Sequence, residues 1–426
     1  VGSESVPYQG TFDGHGYKLT IAYDVTENYV APFRVVNGAT IQNLEVAGTI
    51  NTTAEYAGGI IGYSPSSSTA SNVTMCRSSV SIIGHSPIND RTDWHGGFVG
   101  LVYAPIHFTD CISDGKITGS SSPARSYCTG FIGLTRGGTS TFTNCLNNCE
   151  LDVNATNGLW HFIGGTGSVS NSYVNNTISY TAGYSQATPV TGEQLSDGTV
   201  TTKLQNNREE EIWVLDPVLG TPMLKLFAKD ITYTVPSSDI GTFSAKGQVL
   251  LPEGLKAYYC KTYHKKNSTI SVIGISGNIV PAATGVLLVG NKGETFTLTG
   301  ACGQAPTITD NELVAVTESK HIPATNGEYT NFMMKGGKFI KIQQDDEGVK
   351  MPANRAYLPL LTEAISGSNA KEIMLYWDDE ETTGIESLTP GPSPKGEGSI
   401  YNLNGQKLSA PQKGINIING RKVIVK

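Results

Sequence analysis

Three hexamers, GGIIGY at 58–63, GGFVGL at 96–101 and TGFIGL at 129–134, are nearly the same pattern written three times. A chain that repeats itself every few tens of residues folds as a stack of equivalent units. A second signature runs through the same region: Ile41-x-x-Leu44, Val73-x-x-Cys76, Phe108-x-x-Cys111, Phe142-x-x-Cys145 and Val169-x-x-Ser172. Six residues beyond the last member stands Ile50, Ile82, Ile117, Leu151 or Ile178, and the copies are 32, 35, 34 and 27 residues apart. Variable spacing between fixed signatures marks surface loops.

Each unit holds short β-rich segments between Gly, Asn and Ser clusters, with too little apolar surface to fold alone. Stacking supplies the core. If each unit is one turn of a right-handed parallel β-helix, equivalent strands lie about 4.8 Å apart and equivalent side chains form ladders. Phe33, Ile60, Phe98, Phe131 and Phe162 form one expected interior ladder, and Leu44, Cys76, Cys111, Cys145 and Ser172 another. The latter reads as small buried hydrophobes, because ladder positions bring no His or carboxylate to complete a tetrahedral site and no C-x-x-C occurs. Neither a disulfide framework nor a metal is expected from the seven cysteines.

The G-Φ-Φ-G pattern, followed by a strand ending in NC or DC, resembles the GLUG-motif repeats of bacterial adhesin-like surface proteins. GTFDGHGYKLTI at 10–21 is similar to the opening coil of that family. The resemblance spans 7–186, with Ile or Phe replacing the Leu of the motif and with the first Gly lost in the fifth coil, His161-Phe162-Ile163-Gly164. It implies a surface-exposed, adhesive β-helix of the Bacteroidetes type. Members usually carry more chain before GTFDG, so the resemblance implies the expectation that Val1 marks a truncation.

Residues 1–186 are therefore read as the β-helix. Thr191-Gly192-Glu193-Gln194 fits a capping box, and the dense apolar run 211–227 follows, so 187–228 is read as the end cap that a solenoid requires. From Ile231 the repeat gives way to strands such as VLLVG, TFTLT, NFMMK and KFIKI, with Gly336-Gly337 as a two-residue hairpin. An antiparallel β-sandwich is expected over 229–381, and it resembles an unnamed β domain common in secreted Bacteroidetes proteins. TPGPSPKGEG cannot continue a sheet, so 382–398 is a linker. Residues 399–426 form a small β tail with Asn-Gly turns at 404–405 and 419–420, five Lys or Arg and no acid. SIYNLNGQKL and the hairpin after it resemble the C-terminal sorting signal of type nine secretion, which implies the outer-membrane secretion machinery as a partner and an extracellular or outer-membrane location.

Of 426 residues, 49 are Gly and only 16% are charged, with a net charge of −7. That balance lacks the basic stripe of a nucleic-acid binder. No run reaches the roughly 20 apolar residues of a membrane-spanning helix.

A β-helix enzyme acting on polysaccharides needs converging carboxylates or a cation beside calcium. Asp90, Asp93, Asp110, Asp114, Glu150 and Asp152 do not recur at one ladder position, and they read as solvated loop acids. His85, His95, His107 and His161 are scattered, and no H-E-x-x-H, G-x-S-x-G or cofactor fingerprint is present.

One candidate surface remains. Four residues before the first Φ stand Tyr29, Tyr56, Trp94 and Tyr127, an aromatic in four consecutive coils. Exposed, such a column offers apolar faces to sugar rings or a partner strand. Strand parity instead directs the aromatics inward unless a turn intervenes, so core or turn packing is the reading it favours. The functional expectation is a non-enzymatic surface protein binding glycans or host or matrix protein, without a cofactor. A display stalk is the alternative, and a polysaccharide-active β-helix enzyme the more distant one.

Overall fold

The computed structural model describes residues 1–66, 69–85, 93–119, 128–152, 162–175, 187–343, 348–366 and 371–377, and tail segments 400–402, 407–408, 414–418 and 421–425. Strands make up 51% of the chain and helices 6%, so the class is all-β.

The described residues between 1 and 190 form three larger parallel sheets and a two-stranded fourth around one core. In the first sheet Thr11–Asp13, Thr40–Gln42, Ser71–Thr74, Ile106–Thr109, Ser140–Thr143 and Gly167–Ser170 pair in chain order. Phe33–Val35, Ile61–Ser64, Val99–Val102 and Ile132–Thr135 form the second. The third begins Lys18–Val25, Glu45–Thr52, Arg77–Gly84. Pairing each strand with its equivalent one repeat later, in all three sheets, makes a parallel β-solenoid.

The ladders stand where the repeat put them. Ile41, Val73, Phe108, Phe142 and Val169 are register partners in sequence. Phe33, Ile60, Phe98 and Phe131 each donate their N–H to the carbonyl of the next member, ending at Phe162, over 3.0–3.1 Å, and all five side chains are buried. Phe98 stacks on Phe131, and Phe108 on Phe142, with centroids 4.8 Å apart and rings 6° from parallel. Such pairs add about 0.5–1.5 kcal/mol beyond area burial. Ile178, expected on a further ladder, lies outside the described residues.

The repeated glycines leave room for other residues of the stack. A Cβ on Gly59 or Gly97 would overlap the inward hydroxyls of Ser78 and Ser113, and one on Gly130 the Asn147 side chain. At the motif's second glycine, a Cβ on Gly62 would overlap the Tyr29 carbonyl oxygen, and one on Gly133 would meet the Trp94 oxygen at 2.6 Å. The corner between the first and third sheets is a column of left-handed residues, Asn43, Met75, Asp110, Asn144 and Asn171, with φ from 44° to 55°. This conformation suits Asn and Asp, which explains the NC and DC endings. Met75 takes it too, and its side chain packs into the apolar cluster around Trp213.

That cluster belongs to the segment expected as an end cap, which runs back along the flank of the solenoid. The capping box is formed: Thr191 Oγ1 accepts from Gln194 N at 3.2 Å, and Gln194 Oε1 accepts from Thr191 N at 3.0 Å. Leu195, Val200 and Leu204 of the helices Gly192–Ser196 and Thr199–Gln205 pack with Ile112, Leu146 and Tyr173, which project from the outer face of the third sheet. Asn171 donates to Lys203 O at 2.8 Å, Arg208 reaches Asp110 two coils earlier, and a Cβ on first-coil Gly16 would lie 2.9 Å from Leu226. The two helices hold five and seven residues, and the apolar outer row of the third sheet seats them.

Leu215 bridges to Ala301, and Glu211 accepts from Cys302 N at 3.0 Å, joining this strap to the second half. Residues 1–378 form one compact unit and 379–426 another. The second half has a four-stranded and a ten-stranded sheet with separate apolar clusters. Gly336 and Gly337 make the expected hairpin at φ 59° and 78°. Among the described residues of this half, pairing is antiparallel except between Thr269–Gly274 and Glu372–Trp377, which run parallel. In the tail, Ile400–Asn402, Lys407–Leu408, Gly414–Ile418 and Arg421–Val425 form an antiparallel sheet.

Candidate functional site

The aromatic column occupies the corner that leads into the second sheet. Tyr56–Gly58 pairs with Trp94–Gly96, placing Trp94 beside Tyr56 and His95 beside Ala57. Ala57 and His95 point into the core and are fully buried, while Tyr29, Tyr56 and Trp94 lie on the other face and are half-buried. The inward direction that strand parity favoured is overturned. The chain bends at 59–60 between Tyr56–Gly58 and Ile61–Ser64, so counting parity across both segments fails. Tyr127 lies outside the described residues.

The rings are ordered against each other. Tyr29 stacks on Tyr56 at 5.7 Å and on Tyr63 at 4.4 Å, with interplanar angles of 23° and 17°. Tyr103 meets the edge of Tyr63 at 6.2 Å and is 38% exposed. Tyr56 Oη donates to Glu55 Oε1 at 2.9 Å, and partial burial together with that bond keeps the phenol protonated. Burial also raises the pKa of Tyr29 and Tyr63. Sequence reasoning missed Tyr63 and Tyr103. The signal for Tyr63 was the sixth letter of GGIIGY, where the other two hexamers carry Leu.

The acids are less free than loop residues would be. Asp110 is 4% exposed, accepts from both terminal nitrogens of Arg208 at 2.8 and 2.9 Å, and also accepts from Trp213 Nε1 at 2.8 Å. Asp114 accepts from Arg77 at 2.7–3.2 Å, and Arg77 also holds Glu45, which in turn binds Lys18 at 2.9 Å. The solvated-loop reading of these two aspartates is therefore corrected: both anchor outer-face packing. Burial raises the Asp114 carboxyl above its usual value, and Arg77 offsets only part of that. Glu150 and Asp152 share Lys116 at the surface. Asp93 is buried, and Asp90 and His161 lie outside the described residues.

His107 Nδ1 bonds Thr141 Oγ1 at 2.8 Å and His85 is exposed. His95 is fully buried with no hydrogen-bond partner for either ring nitrogen among the described residues, and burial lowers its pKa to about 4. Cys76, Cys111 and Cys145 are free, fully buried thiols, each donating to the backbone oxygen two residues back at 3.3–3.4 Å. Burial pushes the Cys76 thiol up to about 12, so it is neither a nucleophile nor a ready ligand. Among the described residues no three His, Cys, Asp or Glu side chains are grouped to hold a metal ion.

The sequence matches no protein-family model, and no curated protein or solved structure is significantly similar to it.

Proposed function

We propose that this is a non-enzymatic, exported surface protein whose solenoid flank binds glycans or host or matrix protein. The observation that carries the reading is the ordered, half-exposed stack of Tyr29, Tyr56 and Tyr63, edged by Tyr103 and continued by Trp94 in the next coil. Rings stacked on one another cover each other's faces, so the flank presents a fixed row of apolar ring edges, with hydroxyls at their rims for hydrogen bonds, at little entropic cost. The GLUG-like repeats and the sorting-signal-like tail support a bacterial surface location and delivery through the outer-membrane secretion machinery. Against an enzyme, Asp110, Asp114 and Glu45 are each ion-paired within the packing.

The test is a screen of the intact chain, since residues 1–378 form one unit, on arrays of glycans and matrix proteins. Binding that Tyr63→Ala weakens at least tenfold supports the reading. Binding to nothing on either array counts against it and favours a display stalk without its own ligand.

A further inference from the structure

A pocket of ≈ 160 Å³ opens beside the head of the aromatic column, where the first coil passes from the third sheet to the second. Tyr23, Val25 and Tyr29 form its apolar walls, and Glu27, Asn28 and Arg34 supply the polar side. Its size, well under the roughly 300–1,000 Å³ of drug-sized pockets, suits one sugar ring.

The backbone is strained at the pocket's edge. Tyr29 sits at φ 66°, a left-handed conformation that bulky residues avoid at a cost of about 1–3 kcal/mol. Its own N–H and that of Val30 both donate to Tyr56 O, at 3.0 and 3.2 Å, which fixes the distortion. The ring stacks on Tyr56 and Tyr63 and also lines the pocket. Core packing needs no such strain, because the inward position of this segment is already filled by Val30.

The polar side is electrically balanced. Arg34 lies 3.6 Å from Glu27, and both remain open to solvent, at 40% and 76% side-chain exposure. Asn28 spends its oxygen on Glu55 N at 2.8 Å, which leaves its amide hydrogens as donors. Paired acceptors and donors without net charge match vicinal hydroxyls, and a tyrosine wall matches the C–H face of a pyranose. A carboxylated sugar would have to displace Glu27 to reach Arg34, with like-charge repulsion in its way.

We propose that this pocket takes the terminal, uncharged pyranose of a glycan whose remaining residues lie along Tyr29, Tyr56 and Trp94. The coil spacing of about 4.8 Å is close to the length that one pyranose adds to a chain. The inference rests on the glycan reading of the flank and assigns that ligand an end, a direction and a charge class.

Saturation-transfer NMR on the intact chain tests it with methyl glycosides of glucose, mannose, galactose and N-acetylglucosamine, and with methyl glucuronide as the acidic counterpart. At least one neutral glycoside gives a signal, the glucuronide binds at least tenfold more weakly, and Glu27→Lys reverses that order. Glu27 is exposed, so the variant leaves the fold intact. Equal binding of neutral and acidic sugars, or indifference to Glu27→Lys, overturns the pocket. If neutral hexasaccharides still bind and lose affinity with Tyr63→Ala while Glu27→Lys changes nothing, the flank reading survives and the pocket alone falls. If no saccharide binds, the pocket and the glycan half of the flank reading both fall, and the matrix-protein array decides the rest.

Discussion

His95 is a buried base with no hydrogen-bond partner among the described residues, and it makes stability depend on pH in a way that can be worked out. Its imidazole is fully buried beside Ala57, and burial lowers its pKa from 6.5 to about 4. Asp93 and Cys128 are titratable groups packed at the same corner; a Cβ on Gly84 would lie within 3.3 Å of both His95 and Asp93. Between those two pH values the unfolded chain takes a proton that the folded chain refuses. Stability from this group is therefore fully present above pH 6.5, is lost as pH falls, and levels off below about pH 4. At about 1.4 kcal/mol per pH unit, the loss is about 3 kcal/mol in all and about 2 kcal/mol between pH 7.5 and pH 5. His95→Leu removes both the titration and two unpaired nitrogens, so it is at least as stable as the parent at pH 7.5. Urea unfolding followed by the fluorescence of Trp94 and the other tryptophans should show the variant losing about 2 kcal/mol less than the parent between the two pH values. Equal losses in the two proteins would refute the reasoning, and would mean that the Asp93 carboxylate shelters the imidazolium.

Arg208→Met leaves the Asp110 carboxylate buried without its cation and should cost about 3 kcal/mol in urea unfolding; Asp110→Asn, which keeps an acceptor for Trp213, should cost less, and the reverse order would mean that the strap docks by apolar contact alone. Asp13 is held down to about 2, first by the Gln42 amide, then by His15 N–H and the Asn43 amide, so its contribution is present above pH 3.8 and fades toward pH 2; Asp13→Asn should flatten that part of the acid limb in a pH-dependent melt. Gly62→Ala sets a methyl against the Tyr29 carbonyl and should lower stability by about 3 kcal/mol or more while weakening any flank ligand; an unchanged melting point would show that the corner yields. Thiol titration of unfolded, unreduced protein should find all seven cysteines free, and fewer would mean that the sulfur ladder is cross-linked.

The solenoid was legible because a repeated core leaves a repeated signature. Ile60, Phe98 and Phe131 follow from the hexamers, and the Cys76, Cys111 and Cys145 ladder from the second motif, since each position meets the same neighbours in each turn. The strap was legible only as a capped helix with a dense apolar run. Its direction depends on Ile112, Leu146 and Tyr173 projecting outward, and on Asp110 in a left-handed turn, where apolar or acidic letters alone do not separate core from flank. The aromatic positions Tyr29, Tyr56 and Trp94 came from spacing, but their outward direction depends on the bend at 59–60, which a count of residues along one strand cannot register. Tyr103 was invisible for a related reason: it approaches Tyr63 through the stacking of coils, at a separation that no local pattern encodes.

The most direct test of the account is the affinity of the intact chain for neutral oligosaccharides, measured beside Tyr63→Ala and Glu27→Lys. The account predicts binding by the parent, at least a tenfold loss with Tyr63→Ala, and a shift of preference toward acidic sugars with Glu27→Lys. Parent binding that neither substitution changes would place the ligand elsewhere and contradict the assignment of function to this flank.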